Sequence, residues 1–333
     1  MDVQYEIPNI NFPEADKDAW LQKIILDMKG KKLPQDFMSE VEGIVIDPFQ
    51  TIQEVGENFL PLDRLFDETK TGVFIDITND EEDNKTILSY LEKGASTLYL
   101  DIKKSVDPAV LFENIHLEYL FVCIKTDDMM ISDVFQKYFD TALEDKSLQT
   151  YIILNHKCVY PSKTEVYAVD VSTSVINPFT QILEKAGTAI KKERPLRCIF
   201  LFEVGKNFLL TIASLRAFRI LWENLVSELG FEGDIPLVVG VLPKAEVLSE
   251  EPNQALIEWT YMALSGFLGN TDMIFSLIHA GNTGHNYGKT AFLAQQILLE
   301  EGKIGQVKDP LAGSLFVEQT TQKIAIKVWN TII

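Results

Sequence analysis

Eight short apolar or alternating runs, beginning at residue 72, constrain the fold of this chain more than any other feature of its sequence. They read GVFIDIT (72–78), STLYLDI (96–102), LEYLFVCI (117–124), TYIILN (150–155), TEVYAVDV (164–171), LRCIFLFEV (196–204), IPLVVGVL (235–242) and DMIFSLI (272–278). Helix-patterned segments separate most of them, at 80–93, 129–145, 177–192, 207–229 and 252–267. The connection at 103–116 has room for only a small helix, and the one at 156–163 is too short for any. Strands alternating with helices form parallel sheets, since a parallel return needs a crossover of a dozen or more residues. Eight such strands predict an α/β fold of the (β/α)8 TIM-barrel type, complete or degenerate, over residues 72–333. An open doubly wound sheet is the alternative arrangement of the same elements. A barrel of this length is ordinary as one domain, and no internal repeat or low-complexity tract points elsewhere.

Residues 1–71 read as an extended N-terminal arm that carries one helix. In DKDAWLQKIILDMKG, Trp20, Ile24, Ile25 and Met28 recur at helical spacing and Gly30 stops the helix. VEGIVIDPF follows as an extended piece, and a loop leads to the first barrel strand. The clearest helix, NFLLTIASLRAFRILWENLVSELG, sets Phe208, Ile212, Leu215, Trp222, Leu225 and Leu229 on one stripe, with Gly230 as its stop. Arg219 and Glu223 stand four apart and are expected to pair on its exposed face, a contact worth only about 0.3–0.5 kcal/mol.

Charge narrows the partners. The 49 acidic and 30 basic side chains leave a net charge of −19, which repels phosphate backbones and anionic membrane surfaces. Neither nucleic acid nor a membrane is expected as a partner. Cys123, Cys158 and Cys198 are far apart, each in or beside an apolar run, and form no CxxC pair, so they read as buried thiols in a reducing compartment. With no signal-peptide pattern and no apolar stretch of spanning length, the expected location is the cytoplasm.

Chemistry-bearing motifs are few. His116 and His156 sit at strand edges without an acidic or thiol neighbour, while His279 and His285 flank AGNTG after the eighth strand. That pair has no third or fourth ligand at motif spacing, so no metal site is expected. Neither GxGxxG, GxxxxGK[ST] nor GxSxG occurs, and the cobalamin-ligand pattern Asp-x-His-x-x-Gly is missing. Carboxylates near strand C-termini, Asp76, Asp101, Asp170 and Glu203, are the remaining candidates, because a barrel's catalytic face lies at those ends. The plainer reading is that they cap loops or pair with lysines such as Lys103 or Lys206. Near the end, GQVKDPLAGSLFVEQTTQKIA places Asp309-Pro310 and Ala312-Gly313-Ser314 between an apolar-patterned helix and a strand-like run. It reads as a turn in which Asp309 and Ser314 satisfy loose backbone groups, rather than as a phosphate cradle.

Several blocks occur in an order that resembles the barrel domain of methylmalonyl-CoA mutase. They are WLQKIILDMKGK and EGIVIDPF near the start, then VGKNFLLTIASLRAFRILWENLV (204–226), LSEEPNQALIEWTYMALSGFLGNTD (248–272) and LAQQILLEEGKIGQVKDPLAGSLFVE (293–318). The likeness covers the first 50 residues and 164–330, and residues 51–163 match poorly. The resemblance implies a barrel that threads acyl-CoA along its axis, adenosylcobalamin held at the mouth by a C-terminal flavodoxin-like domain, and isomerisation of methylmalonyl-CoA to succinyl-CoA in propionate metabolism. It also implies the family's pairing of a catalytic large subunit with a related small (beta) subunit that lacks catalytic residues.

The departures from that pattern choose between the two subunits. Where catalytic members carry an Arg-Gly-x-Tyr-Pro segment, this chain reads QTIQEVGENFLPLDRLF. At the family's tyrosine-histidine pair, in VYAVDVSTSV, Tyr167 remains and the histidine position is Ala168, which has no proton to share with a carbonyl. In GNTDMIF, Phe275 stands where the second histidine belongs, and FLAQ (292–295) replaces Arg-Asn-Thr-Gln. With the chain ending at Ile333, the cobalamin domain is expected to be absent. The resemblance therefore implies a small subunit that is inactive alone, binds no cofactor itself and stabilises the large subunit as a heterodimer. A stand-alone barrel enzyme with an acidic mouth, or a homo-oligomeric scaffold, are the alternatives.

Overall fold

The computed structural model describes residues 16–52, 62–142, 149–154, 157–160, 164–170, 174–193, 197–231, 235–243, 251–278 and 287–332. Helix α1 (Lys17–Met28) ends at Lys29 and Gly30, both in the left-handed region. A hairpin follows, β1 (Ser39–Val41) and β2 (Ile44–Ile46), so the extended VEGIVIDPF segment is folded on itself. The main sheet then runs β3 (Lys70–Ile77), β4 (Thr97–Ile102), β5 (Phe121–Thr126), β6 (Gln149–Leu154), β7 (Lys157–Tyr160), β8 (Thr164–Asp170), β9 (Arg197–Glu203), β10 (Leu237–Val241) and β11 (Met273–Ile278). Its spatial order is β7-β6-β5-β4-β3-β11-β10-β9-β8.

Eight of these strands are parallel, and the first pairs with the last through β3 and β11. The result is a nearly closed α/β barrel of TIM type, as the eight apolar runs predict. The irregularity sits where the sequence left no room for a helix. After β6 the chain doubles back as β7, antiparallel to β6, and β8 lies beside it without a shared ladder. Around the barrel come α2 (Asp80–Leu91), α3 (Pro108–Leu111), α4 (Met129–Ala142), α5 (Ile176–Lys192), α6 (Phe208–Glu228), α7 (Pro252–Leu268), α8 (Tyr287–Glu300) and α9 (Leu315–Ile332).

Strand periodicity sorts the core into two shells. On β3, Val73, Ile75 and Ile77 face outward onto α2, while Gly72, Phe74 and Asp76 share the inward parity. The inner shell joins Tyr99, Phe121, Cys123, Tyr151, Ile199, Val239, Met273 and Phe275, so the barrel axis is filled by side chains. Outside, α5, α6 and α9 clamp a second apolar cluster around Phe200, Phe218 and Trp222, whose rings meet edge to face at 4.6 and 5.0 Å.

Three expectations need correction. The strand-like run after residue 314 is the helix α9, because its apolar positions Ile324, Ala325 and Val328 all bury against α5 and α6. Helix α6 is buried nearly all round rather than along one stripe. Arg219 is buried and donates to the Asn270 carbonyl and the Asp272 carboxylate, at 2.7 and 2.9 Å, while Glu223 faces solvent. The arm is also tied down more firmly than its sequence suggests. The Glu42 carboxylate, in the hairpin turn, accepts from the Ile176 N–H at 3.0 Å at the start of α5, where a negative charge complements the helix dipole. Lys323 and Lys327 of α9 donate to the hairpin carbonyls of Val45 and Glu42.

Candidate functional site at the barrel mouth

Strand parity carries four acids to one place. Asp76, Asp101, Asp170 and Glu203 each lie at or next to the C-terminal end of a strand and on its inward-facing register. Asp76 is level with Asp101, and Asp170 with Glu203, in the parallel ladders. Below them opens a cavity of about 390 Å³ lined by Phe74, Tyr99, Lys125, Ala168, Asp170, Leu201, Glu203, Val241 and Phe275. The described part of the mouth carries all four of these carboxylates.

The two acid pairs differ in company. Lys103 lies 3.6 Å from both Asp76 and Asp101, and Lys125 lies 3.7 Å from Asp101. Asp101 and Asp76 in turn raise the affinity of the Lys103 ammonium for its proton. Glu203 has no lysine beside it among the described residues: Lys206, a suggested partner, pairs instead with Glu258 at 3.0 Å. Burial and then the neighbouring Asp170 raise the pKa of Glu203. Tyr99 is pushed well above the ordinary tyrosine range, chiefly by burial.

Both positions that the family comparison assigned to lost histidines line this cavity. Ala168 opens into it from β8 and Phe275 from β11. Tyr167, one residue earlier, points the other way and stacks on Phe200 at 5.1 Å. The mouth therefore contains carboxylates, two lysines and a tyrosine, and no imidazole among the described residues.

His116 is exposed and its Nδ1 lies 3.6 Å from the Glu118 carboxylate, so it does have an acidic neighbour, contrary to the sequence reading. It precedes a short 3-10 turn at Leu117–Tyr119. His156, His279 and His285 lie outside the described residues, as does the segment 53–61 within QTIQEVGENFLPLDRLF. No group of three or more potential metal ligands occurs among the described residues, and none of the described helices is long and apolar enough to cross a membrane.

The loop at 305–314 belongs to the opposite face. Asp309, at φ 47°, receives Arg216 of α6 and accepts from the Leu62 N–H at 2.9 Å. Arg216 also donates to Glu318 of α9 at 2.6 Å, and Glu318 accepts from the Gly313 N–H at 3.0 Å. Beside it, Asp272 at the start of β11 accepts from Arg219, the Val238 N–H and the Leu65 N–H. This is a buried ionic clasp at the stability face of a barrel, and sequence reasoning missed it. Its ion pairs join residues 53 to 102 apart, so no spacing motif announces them.

Residues 180–333 match the family profile described as methylmalonyl-CoA mutase. The chain is 34% identical over 142 residues to a methylmalonyl-CoA mutase of Cereibacter sphaeroides, a stretch covering 41% of this chain and 20% of that protein. It is 28% identical over 164 residues to a probable methylmalonyl-CoA mutase small subunit of Mycobacterium bovis, covering 46% of this chain and 26% of that one. Against a methylmalonyl-CoA mutase small subunit of Porphyromonas gingivalis the identity is 23% over 391 residues, with 97% of this chain and 63% of the relative covered. The chain thus spans between a fifth and about two thirds of the length of these relatives. Among solved structures it is similar to dihydropteroate synthase from Thermus thermophilus at TM-score 0.42 and 14% identity, over 74% of this chain and 99% of that one.

Proposed function

We propose, from the match of residues 180–333 to the methylmalonyl-CoA mutase family and from the small-subunit relatives, that this chain is a non-catalytic small subunit of that family which stabilises a catalytic large subunit as a heterodimer. The observation that carries this reading is the pair Ala168 and Phe275. Two positions distant in sequence, both histidine in the resemblance drawn above, meet in one cavity, and neither side chain can donate or accept a proton there. The filled axis supports the same reading. Threading an acyl-CoA requires an open channel, and Phe121, Tyr151, Met273 and Phe275 occupy that space.

Adenosylcobalamin, the cofactor that the resemblance implies, does not fit the described mouth. It offers no imidazole, and the rim acids repel phosphate-bearing groups such as those of coenzyme A. The chemistry would then belong to the large subunit, with this barrel supplying packing surface. Co-expression with the large mutase subunit of the same organism, followed by size-exclusion chromatography, tests the proposal. Co-elution as a heterodimer is expected, with no turnover of methylmalonyl-CoA by the isolated chain. Separate elution sinks the subunit assignment, and turnover by the isolated chain overturns its inactivity. The second reading, a stand-alone enzyme with an acidic mouth, is favoured by the cavity itself.

A further inference from the structure

The mouth cavity has two unlike walls. In the ring, β3 and β4 are separated from β8 and β9 by β10 and β11 on one side and by β5 to β7 on the other. Phe74 and Tyr99, joined by Phe275 from β11, therefore face Asp170 and Glu203 across the opening. The rings brace one another edge to face, Phe74 on Tyr99 at 4.7 Å and Tyr99 on Phe275 at 5.7 Å. Tyr99 is only 8% exposed, lines the cavity, and its hydroxyl has no hydrogen-bond partner among the described residues. Glu203 is half-buried and has no counter-ion among the described residues, whereas Asp76 and Asp101 share two lysines.

We propose that the barrel mouth is a binding site for a compact organic cation, an ammonium on an apolar body, held between the aromatic wall and the carboxylates of Asp170 and Glu203. The ammonium supplies the charge that Glu203 lacks and a donor for the Tyr99 oxygen, and the apolar body covers the ring faces and Leu201. The cavity volume falls within the range of about 300–1,000 Å³ typical of small-molecule sites. Among the described residues the cavity is lined by two carboxylates, Asp170 and Glu203, against one lysine, Lys125, which disfavours anions, and a neutral ligand brings Glu203 no counter-charge. The site is built by this chain alone, so its occupancy is independent of the large subunit.

Isothermal titration calorimetry of the full chain at pH 8 with benzylammonium, benzyl alcohol and benzoate distinguishes the cases. Benzylammonium is expected to bind saturably with a Kd on the order of 1 mM or tighter, within reach of an eight-atom fragment. The alcohol and the benzoate should bind at least about tenfold more weakly, since neither offers a charge-assisted contact to a carboxylate. Glu203→Gln is expected to weaken benzylammonium about tenfold, and Tyr99→Phe, which keeps the ring and removes one hydrogen bond, about threefold. Circular dichroism checks that each variant is folded, and Asp170→Asn replaces Glu203→Gln if that variant is not. Benzoate binding as tightly as benzylammonium, unchanged affinity in the folded variants, or no saturation up to about 20 mM each overturns the assignment. Co-elution with the large subunit is a separate readout, so either idea can fail without the other.

Discussion

Replacing Arg216 by methionine isolates the contribution of the clasp beneath the barrel. The guanidinium is 1% exposed and lies between two carboxylates, Asp309 at 0% and Glu318 at 8%. Methionine keeps most of the aliphatic stem, so little cavity is created and the loss is electrostatic. Removing one partner of a buried pair costs about 3–5 kcal/mol, because the charge left behind is uncompensated. Two carboxylates are left here, but Asp309 keeps the Leu62 N–H and Glu318 keeps the Gly313 N–H, so the same range is expected rather than its double. For a chain of this size the melting temperature should fall by roughly 5–10 °C. Urea denaturation followed by far-ultraviolet circular dichroism should show a lower midpoint with an unchanged slope. The companion variant Arg216→Met/Asp309→Asn/Glu318→Gln removes all three charges while preserving shape, and should recover at least about half of the loss. Asparagine also tolerates the left-handed backbone at position 309. A single variant within about 1 kcal/mol of the parent, or a triple variant no better than the single, refutes the reasoning.

Two further outcomes follow from residues at the barrel wall and mouth. Gly72→Ala should be strongly destabilising, by about 3 kcal/mol or more, because a Cβ there collides with the Thr97 backbone and hydroxyl across the β3–β4 ladder; a thermal midpoint near that of the parent contradicts this. Glu203 has a folded-state pKa above its ordinary value of 4.5, so its charged form is disfavoured in the folded protein and its ionisation subtracts stability as pH rises. Glu203→Gln should therefore be more stable than the parent at pH 8, with the gain shrinking as pH falls toward 5; a gain that grows on acidification reverses the sign and excludes this account.

Much of the architecture was legible because strand and helix periodicities are local. Val73, Ile75 and Ile77 alternate with Gly72, Phe74 and Asp76, and the same parity that builds the core aims the acid at the mouth. The four rim carboxylates were found for that reason, and their positions required no tertiary information. What failed was non-local. Residues 315–332 carry β-prone Val, Thr and Ile, and only burial against α5 and α6 decides for a helix. Arg219 looked like half of a surface pair because Glu223 is its helical neighbour, while Asp272, its actual partner, lies 53 residues away. The aromatic wall of Phe74, Tyr99 and Phe275 has no sequence signature at all, since its members come from three strands that meet only in the closed sheet.

The place where β7 and β8 lie side by side without a ladder divides the barrel into two half-shells, β3–β6 and β8–β11. Each is continuous in sequence and hydrogen-bonded within itself, and among the described residues one ladder, β3 to β11, joins them. A ring with such a seam can change one half without re-registering the other across it. The recognised portion of the sequence, 180–333, contains three of the four strands of the second half-shell and none of the first. The seam thus makes the sheet a hinge-like pair of half-cylinders, in which strain put into one half reaches the other through the β3–β11 ladder alone among the described residues.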